Sequence, residues 1–161
     1  MKIVILSDTH GNLNGFLNVI DSNEDADLFL HLGDGAAEYF KVKEIYKNTP
    51  IYIVKGNCDN YNLPKHKTFN FDGISLHACH GDMFDVKKGL DKYLDFAKAS
   101  NFNIITYGHT HKRFIQNDGK LCIINPGSLT LPRTFGPSYC VLEIEKGKIN
   151  AKIVEYNQNL E

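Results

Sequence analysis

Asp8 and His10 stand two apart in Ser-Asp-Thr-His-Gly-Asn, and His109 and His111 stand two apart in Tyr-Gly-His-Thr-His. Between them come Asp34 in Leu-Gly-Asp-Gly, Asn57 in Gly-Asn-Cys-Asp, and His80 in His-Gly-Asp. Imidazoles and carboxylates are the ligands of a first-row divalent metal. These seven residues are too many, and too rich in carboxylate, for one tetrahedral zinc. They argue for two metals sharing a carboxylate, and so for chemistry on a phosphate ester. Residues two apart diverge on a helix but converge from a strand end or a turn.

The elements that must position them are legible in outline. Residues 2–7 form a continuous apolar run, as expected for a strand covered on both faces. An amphipathic helix is predicted over Leu13–Ser22, a strand over Asp27–Leu32, a helix over Glu38–Asn48, and a third buried strand over Ile51–Val54. This β-α-β-α-β rhythm predicts a parallel sheet. The second half is rich in hairpin signals. Asp72-Gly73 joins Thr68–Phe71 to Ile74–Cys79, Asp118-Gly119 joins Lys112–Gln116 to Lys120–Ile124, and Lys146-Gly147 joins Tyr139–Glu145 to Lys148–Tyr156. A helix over Val86–Ser100 and a strand over Asn103–Tyr107 complete the reading, which is two mixed sheets packed face to face with helices outside. Asp8, Asp34, Asn57, His80 and His109 each follow an apolar strand, and one sheet rim can gather them, as open α/β sheets do with their ligands. Glycines beside them suit tight turns and close backbone approach.

Bulk properties set bounds. A chain of 161 residues fits one domain, expected over 1–161, with a sizeable core. A net charge of -1 gives no global attraction to nucleic acid or to an anionic membrane, although a local basic patch stays open. No apolar run approaches the roughly 20 residues a membrane helix needs, and Met1–Leu6 reads directly into a strand rather than a signal peptide. Cys58, Cys79, Cys122 and Cys140 form no C-x-x-C pair, so a reducing cytoplasm is expected. A homo-oligomer is left open.

In order, Asp8-Thr-His10, Gly33-Asp34, Gly56-Asn57-Cys58-Asp59, His80 and Gly108-His109-Thr-His111 resemble the blocks of the calcineurin-like metallophosphoesterases, and Asn125-Pro126-Gly127-Ser128 resembles an element of their small YfcE-like phosphodiesterase subgroup. One block alone is a weak signal; five in order are specific. The resemblance implies a fold of the α/β class (α+β), a four-layer α/β/β/α sandwich of two mixed β-sheets flanked by helices. It implies that Asp8, His10 and His111 hold one metal, that Asn57, His80 and His109 hold the other, and that Asp34 bridges both. It implies a bridging hydroxide as nucleophile. Manganese is the expected metal, with nickel, cobalt, iron and zinc as alternatives.

The family usually has a histidine after the asparagine of its third block, where this chain has Cys58. The resemblance is to the subgroup with Gly-Asn-Cys-Asp and implies a small phosphodiester as substrate. Candidates for catalytic roles are Asn57, Cys58, Asp59 and His80. Cys58 is read as a weak proton donor or as a small filler, and Asp59 as a partner of Cys58, of a metal-bound water or of a ligating histidine. Candidates for substrate binding are Asn12, Ser128 and Arg133. For Asn12 a loop cap is an equal reading, and Pro-Gly-Ser is also a plain turn. His31 and His77 are read as structural, His66 as a solvated loop residue, and the remaining cysteines as buried apolar positions. Two other functions stay open: a non-catalytic interaction scaffold of the same fold, like the retromer subunit, and a phosphomonoesterase or protein phosphatase, whose relatives carry the histidine that Cys58 replaces.

Overall fold

The computed structural model describes residues 1–156; residues 157–161 of the expected domain lie outside the described part. Strand β1 (Lys2–Leu6) shows why the first apolar run is unbroken. Ile3 and Ile5 point into a core between two sheets, while Val4 and Leu6 point into a second core beneath the helices. A strand covered on both faces needs apolar residues at both parities.

The first sheet has the order β10-β9-β1-β2-β3 and the second β4-β5-β6-β8-β7. Strands β2 (Leu28–His31) and β3 (Ile51–Ile53) run parallel to β1, while β9 (Ser138–Glu145) and β10 (Lys148–Glu155) return antiparallel from the far end of the chain. In the second sheet β5 (Ile74–Cys79), β6 (Ile104–Thr106) and β8 (Cys122–Asn125) are parallel, and β4 (His66–Phe71) and β7 (Phe114–Asn117) are antiparallel edges. Helices α1 (Leu13–Asp21) and α2 (Ala36–Ile45) cover the first sheet; α3 (Asp91–Ala99) covers the second through Tyr93 and Ala97. The layers are α/β/β/α, as expected. Among the described residues no helix is long and apolar enough to cross a membrane.

Several boundaries differ from expectation, four of them for a physical reason that the contacts show. Helix α2 starts at Ala36 rather than Glu38, because the Asp59 carboxylate, from another loop, accepts from the amides of Gly35 and Ala36. Helix α3 starts at Asp91 rather than Val86: Gly89 has φ +149 and Asp85 φ +54, neither helical, and Val86 instead packs into the core with Tyr107. His66 is not a loop residue but the first residue of β4, paired with Cys79 and stacked on the His77 ring with centroids 5.3 Å apart. Asp72-Gly73 and Lys146-Gly147 form two-residue turns with both φ positive, the type I′ signature, but the middle hairpin closes over residues 118–121, with Asp118 Oδ1 accepting from Lys120 and Leu121.

The carboxyl ends of β1, β2, β3, β5 and β6 open on one rim, and the residues after them carry the site.

Candidate metal centre

Asp8 lies just past β1 and is fully buried. Its Oδ2 accepts from the Ser7 hydroxyl (2.6 Å) and from the backbone N–H of His109 (3.1 Å). Its Oδ1 is buried with no hydrogen-bond partner. Into that orphaned oxygen converge His111 Nε2 at 3.1 Å and His10 Nε2 at 3.8 Å, and the two imidazole nitrogens are 3.3 Å from each other. His111 Nδ1 lies 2.8 Å from the Leu131 carbonyl, which accepts only a proton, so Nε2 turns its lone pair to the cluster.

A second group adjoins the first. His80 donates from Nδ1 to the Leu32 carbonyl at 2.7 Å, leaving Nε2 as the inward atom. That atom is 3.3 Å from Asp34 Oδ2, 3.1 Å from Asn57 Oδ1 and 3.1 Å from His109 Nδ1. Four atoms able to bind a cation, from His80, Asp34, Asn57 and His109, therefore meet in one place. Asp34 Oδ2 is also 3.9 Å from His10 Nε2, so it stands between the two groups.

The spacing fits cations. Two ligand atoms about 2.1 Å from a shared metal, at tetrahedral to octahedral angles, lie roughly 2.9–3.4 Å apart. The contacts of His111 with Asp8 and with His10, and of His80 with Asp34, Asn57 and His109, all fall in that window. The groups Asp8–His10–His111 and Asp34–His80–His109 are each close enough to hold an ion, and each takes ligands from both sheets. All seven expected ligands thus come together at one rim.

The backbone explains how residues two apart converge. Asp8, His10, Asp34, His109 and His111 all have positive φ, between 41° and 63°. Such conformations are uncommon outside glycine and cluster at functional sites. Tight packing holds them. A Cβ on Gly108 would lie 2.0 Å from Ser7 Oγ and 2.7 Å from Asp8 Oδ2, and one on Gly56 would lie 2.1 Å from Asp34 Oδ1. Both positions must be glycine for the carboxylates to sit where they do.

Charges are tuned in opposite senses. Burial raises the Asp8 carboxyl, but His111, His80 and Ser7 outweigh it and hold it below the usual range. Burial of Asp34 is likewise outweighed by His80 and the Cys58 amide, and its carboxyl is pushed far down. For His80, burial is overcome by Asp34 and Asp8, which raise it; His111 is raised chiefly by Asp8. His109 is lowered by burial, then by the nearby charges of His80 and Lys87.

The remaining candidates fall in different places. Cys58 is exposed beside Asp34; its N–H donates to Asp34 Oδ1 at 2.8 Å and its Sγ accepts from Asn57 Nδ2 at 3.3 Å. Partial burial and the Asp34 carboxylate push the thiol up, so it keeps its proton at neutral pH. The Asp59 carboxylate makes no hydrogen bond to Cys58 or to a histidine ring among the described residues. Both of its oxygens are engaged by backbone amides, those of Asp34 (2.9 Å), Gly35 (3.0 Å), Ala36 (2.9 Å) and Gly56 (2.8 Å). Asn12 caps α1, its Oδ1 accepting from Gly15 at 2.8 Å while its Nδ2 points to the Leu129 carbonyl. The expectation of substrate contact fails for Ser128: it is fully buried, donates to the Asp8 carbonyl at 2.8 Å and accepts from Thr130 and Leu131. Arg133 is exposed, and its N–H donates to the His111 carbonyl at 2.9 Å.

One support escaped the sequence. Gly33 N–H donates to His31 Nδ1 (3.1 Å), so His31 Nε2 donates to Thr9 Oγ1 (3.1 Å), whose hydroxyl donates to Glu38 (3.0 Å). This buried chain ties the loop between Asp8 and His10 to β2 and α2. Thr9, inside the Asp-x-His block, was the available signal, but a partner on a separate helix is not readable from spacing.

The model of the calcineurin-like phosphoesterase superfamily domain matches residues 1–147. A probable metallophosphoesterase of Methanocaldococcus jannaschii is 31% identical over 159 residues, covering 96% of this chain and 81% of the relative. A phosphodiesterase of the same archaeon is 28% identical over 167 residues, 96% of this chain and 100% of the relative. Among solved structures, a predicted phosphoesterase of Streptococcus pneumoniae superposes with a TM-score of 0.83 at 27% identity, covering 99% of this chain and 94% of that one. Zinc-bound Vps29 of Entamoeba histolytica gives 0.72 at 19% identity, covering 98% and 100%, a likeness of fold alone. The chain belongs to the calcineurin-like phosphoesterase superfamily, a family of metal-dependent phosphoesterases.

Proposed function

We propose that this chain hydrolyses a small phosphodiester at two divalent cations, one held by Asp8, His10 and His111, the other by Asn57, His80 and His109, with Asp34 shared between them. The observation that carries the reading is the position of Asp34 Oδ2, 3.3 Å from His80 Nε2 in one group and 3.9 Å from His10 Nε2 in the other. When bound, such a pair supplies Lewis acidity toward phosphoryl oxygens and lowers the pKa of water. Manganese suits a ligand set mixing imidazole with carboxylate and amide oxygen.

The protein's own residues orient and exclude. Leu32 and Leu131 carbonyls hold the His80 and His111 tautomers, and Asp59 holds the loop from which Asp34 projects. Cys58 keeps a proton at the exposed edge of the site, where it can donate to a leaving-group oxygen. A thiol does this weakly, which suits a diester better than a monoester whose leaving group must be driven off from a dianion. The chain's similarity to the archaeal phosphodiesterase supports the same assignment. An interaction scaffold has no need of seven converging ligands.

The test is hydrolysis of bis-p-nitrophenyl phosphate with manganese, against p-nitrophenyl phosphate as monoester. Turnover of the diester is expected to exceed that of the monoester. No turnover with manganese, nickel, cobalt, iron or zinc, the circular dichroism being native, refutes the proposal.

A further inference from the structure

Beside the metal centre lies a cavity of about 610 Å³ whose chemistry differs from the ligand cluster. It opens on Thr110, the residue between His109 and His111, and on Arg133, whose backbone is bonded to His111. Its charged lining is Lys87, Lys112, Arg113 and Arg133, with no carboxylate. Arg113 is ion-paired to Glu155 at 2.8 Å. Lys87, Lys112 and Arg133 are in no ion pair among the described residues. In a chain of net charge -1, three uncompensated cations around one cavity are a local feature, and they concentrate anions there.

The same walls carry aromatic surface. Phe135 is 77% exposed, with φ +60, and the Arg113 guanidinium sits 4.2 Å from its ring centroid; Phe114 is 38% exposed. Thr134, between Arg133 and Phe135, has a buried hydroxyl with no hydrogen-bond partner. Cations, exposed rings and a spare hydroxyl recognise a planar ring joined to phosphate. On the other flank of the ligand cluster, a cavity of about 240 Å³ is lined by His10, Asp34, Glu38, Cys58, Asp59 and Tyr61, with carboxylates and no cation. Only the first flank welcomes an anion.

We propose that the Lys87–Lys112–Arg133 cavity binds one ester arm of the substrate, and that this arm is a phosphorylated nucleotide. This rests on the phosphodiesterase reading and deepens it. The scissile phosphate meets the cations held by the ligand cluster, so three further cations in a separate cavity call for a second anionic group. The volume is within the range of small-molecule sites, about 300–1,000 Å³, enough for one nucleotide and not for a strand. The base lies against Phe135 and the second phosphate against Lys87, Lys112 and Arg133.

The test uses manganese-loaded protein and the dinucleotide adenylyl-adenosine with and without a 5′-phosphate. The phosphorylated form is expected to show a kcat/KM about tenfold higher, the scale of one charge-assisted hydrogen bond. Lys87→Glu and Lys112→Glu, both exposed positions, should abolish that preference, and Phe135→Ala should lower both dinucleotides relative to bis-p-nitrophenyl phosphate. Calorimetric binding of adenosine monophosphate to chelator-treated protein should weaken in Lys112→Glu. Turnover of bis-p-nitrophenyl phosphate with equal efficiency on the two dinucleotides, or a preference that survives both lysine substitutions, overturns the assignment of the cavity alone. Failure of all esters overturns the phosphodiesterase reading, and calorimetry then judges the cavity by itself: no binding of the monophosphate removes it.

Discussion

The carboxylate of Asp59 accepts a hydrogen bond from the backbone amide of Asp34 at 2.9 Å, so the residue two after Asn57 sets the backbone from which the Asp34 carboxylate projects. Asp59→Asn replaces one acceptor oxygen with a donor that faces backbone N–H groups. Metal affinity should fall about 10–100-fold, as for other residues that support a ligand without being one, and calorimetric titration with manganese reads it. Unchanged affinity would show that the loop holds its shape without this clamp.

Asp34→Asn addresses the ligand proposed to be shared. It should remove most activity and weaken both cations together, more than loss of Asp59 does. Native mass spectrometry should show the two-ion species lost, not merely one ion fewer at equal affinity. Near-wild-type turnover would refute the bridging role.

Gly108→Ala should push on Ser7 and Asp8, because the new Cβ would lie 2.0 Å from Ser7 Oγ. Overpacking of this kind costs about 1–3 kcal/mol, so urea unfolding should show that loss together with weaker metal binding. A variant as stable as the parent, with full metal content, would mean that Ser7 relaxes freely.

Stability should depend on pH through His77, which burial and then nearby His66 hold down at about 4. An unfolded histidine titrates near 6.5. Below that pH the unfolded chain binds a proton that the native chain refuses, so the stabilisation is complete above pH 6.5 and is lost as pH falls toward 4. His77→Phe removes the effect. Between pH 8 and pH 5, urea unfolding should shift about 2 kcal/mol in favour of the variant; an equal difference at the two pH values would count against it.

Cys58→His tests the proton-donating role proposed for the residue between Asn57 and Asp59. The ratio of monoesterase to diesterase activity should rise. An unchanged ratio would separate substrate class from this position.

The candidate ligands stood out because Asp8, Asp34, Asn57, His80 and His109 each follow an apolar strand and all but Asp8 of these sit beside a glycine, two signals that survive in a bare sequence. Boundaries governed by distant partners were not. Nothing local announces that Asp59 caps α2 or that Glu38 reaches Thr9, and Ser128 looked like a phosphate contact because a hydroxyl buried under Asp8 has the same one-letter code as an exposed one. The shortened α3 was within reach, since Gly89 lies inside the expected helix; the hydrophobic period carried the reading past it. The first helix was legible because Leu13, Phe16, Leu17 and Ile20 repeat at helical spacing, and all four pack into the core beneath the first sheet.

Asp8 and His10 come from the first sheet and His111 from the second; Asp34 comes from the first, His80 and His109 from the second. A cation seated in either group would rivet segments far apart in the chain, residues 8 and 10 to residue 111 in one and residue 34 to residues 80 and 109 in the other. All four cysteines are free, so the protein has no covalent staple. Ions bound there would double as cross-links, and a chelator would then loosen the architecture as well as empty the site.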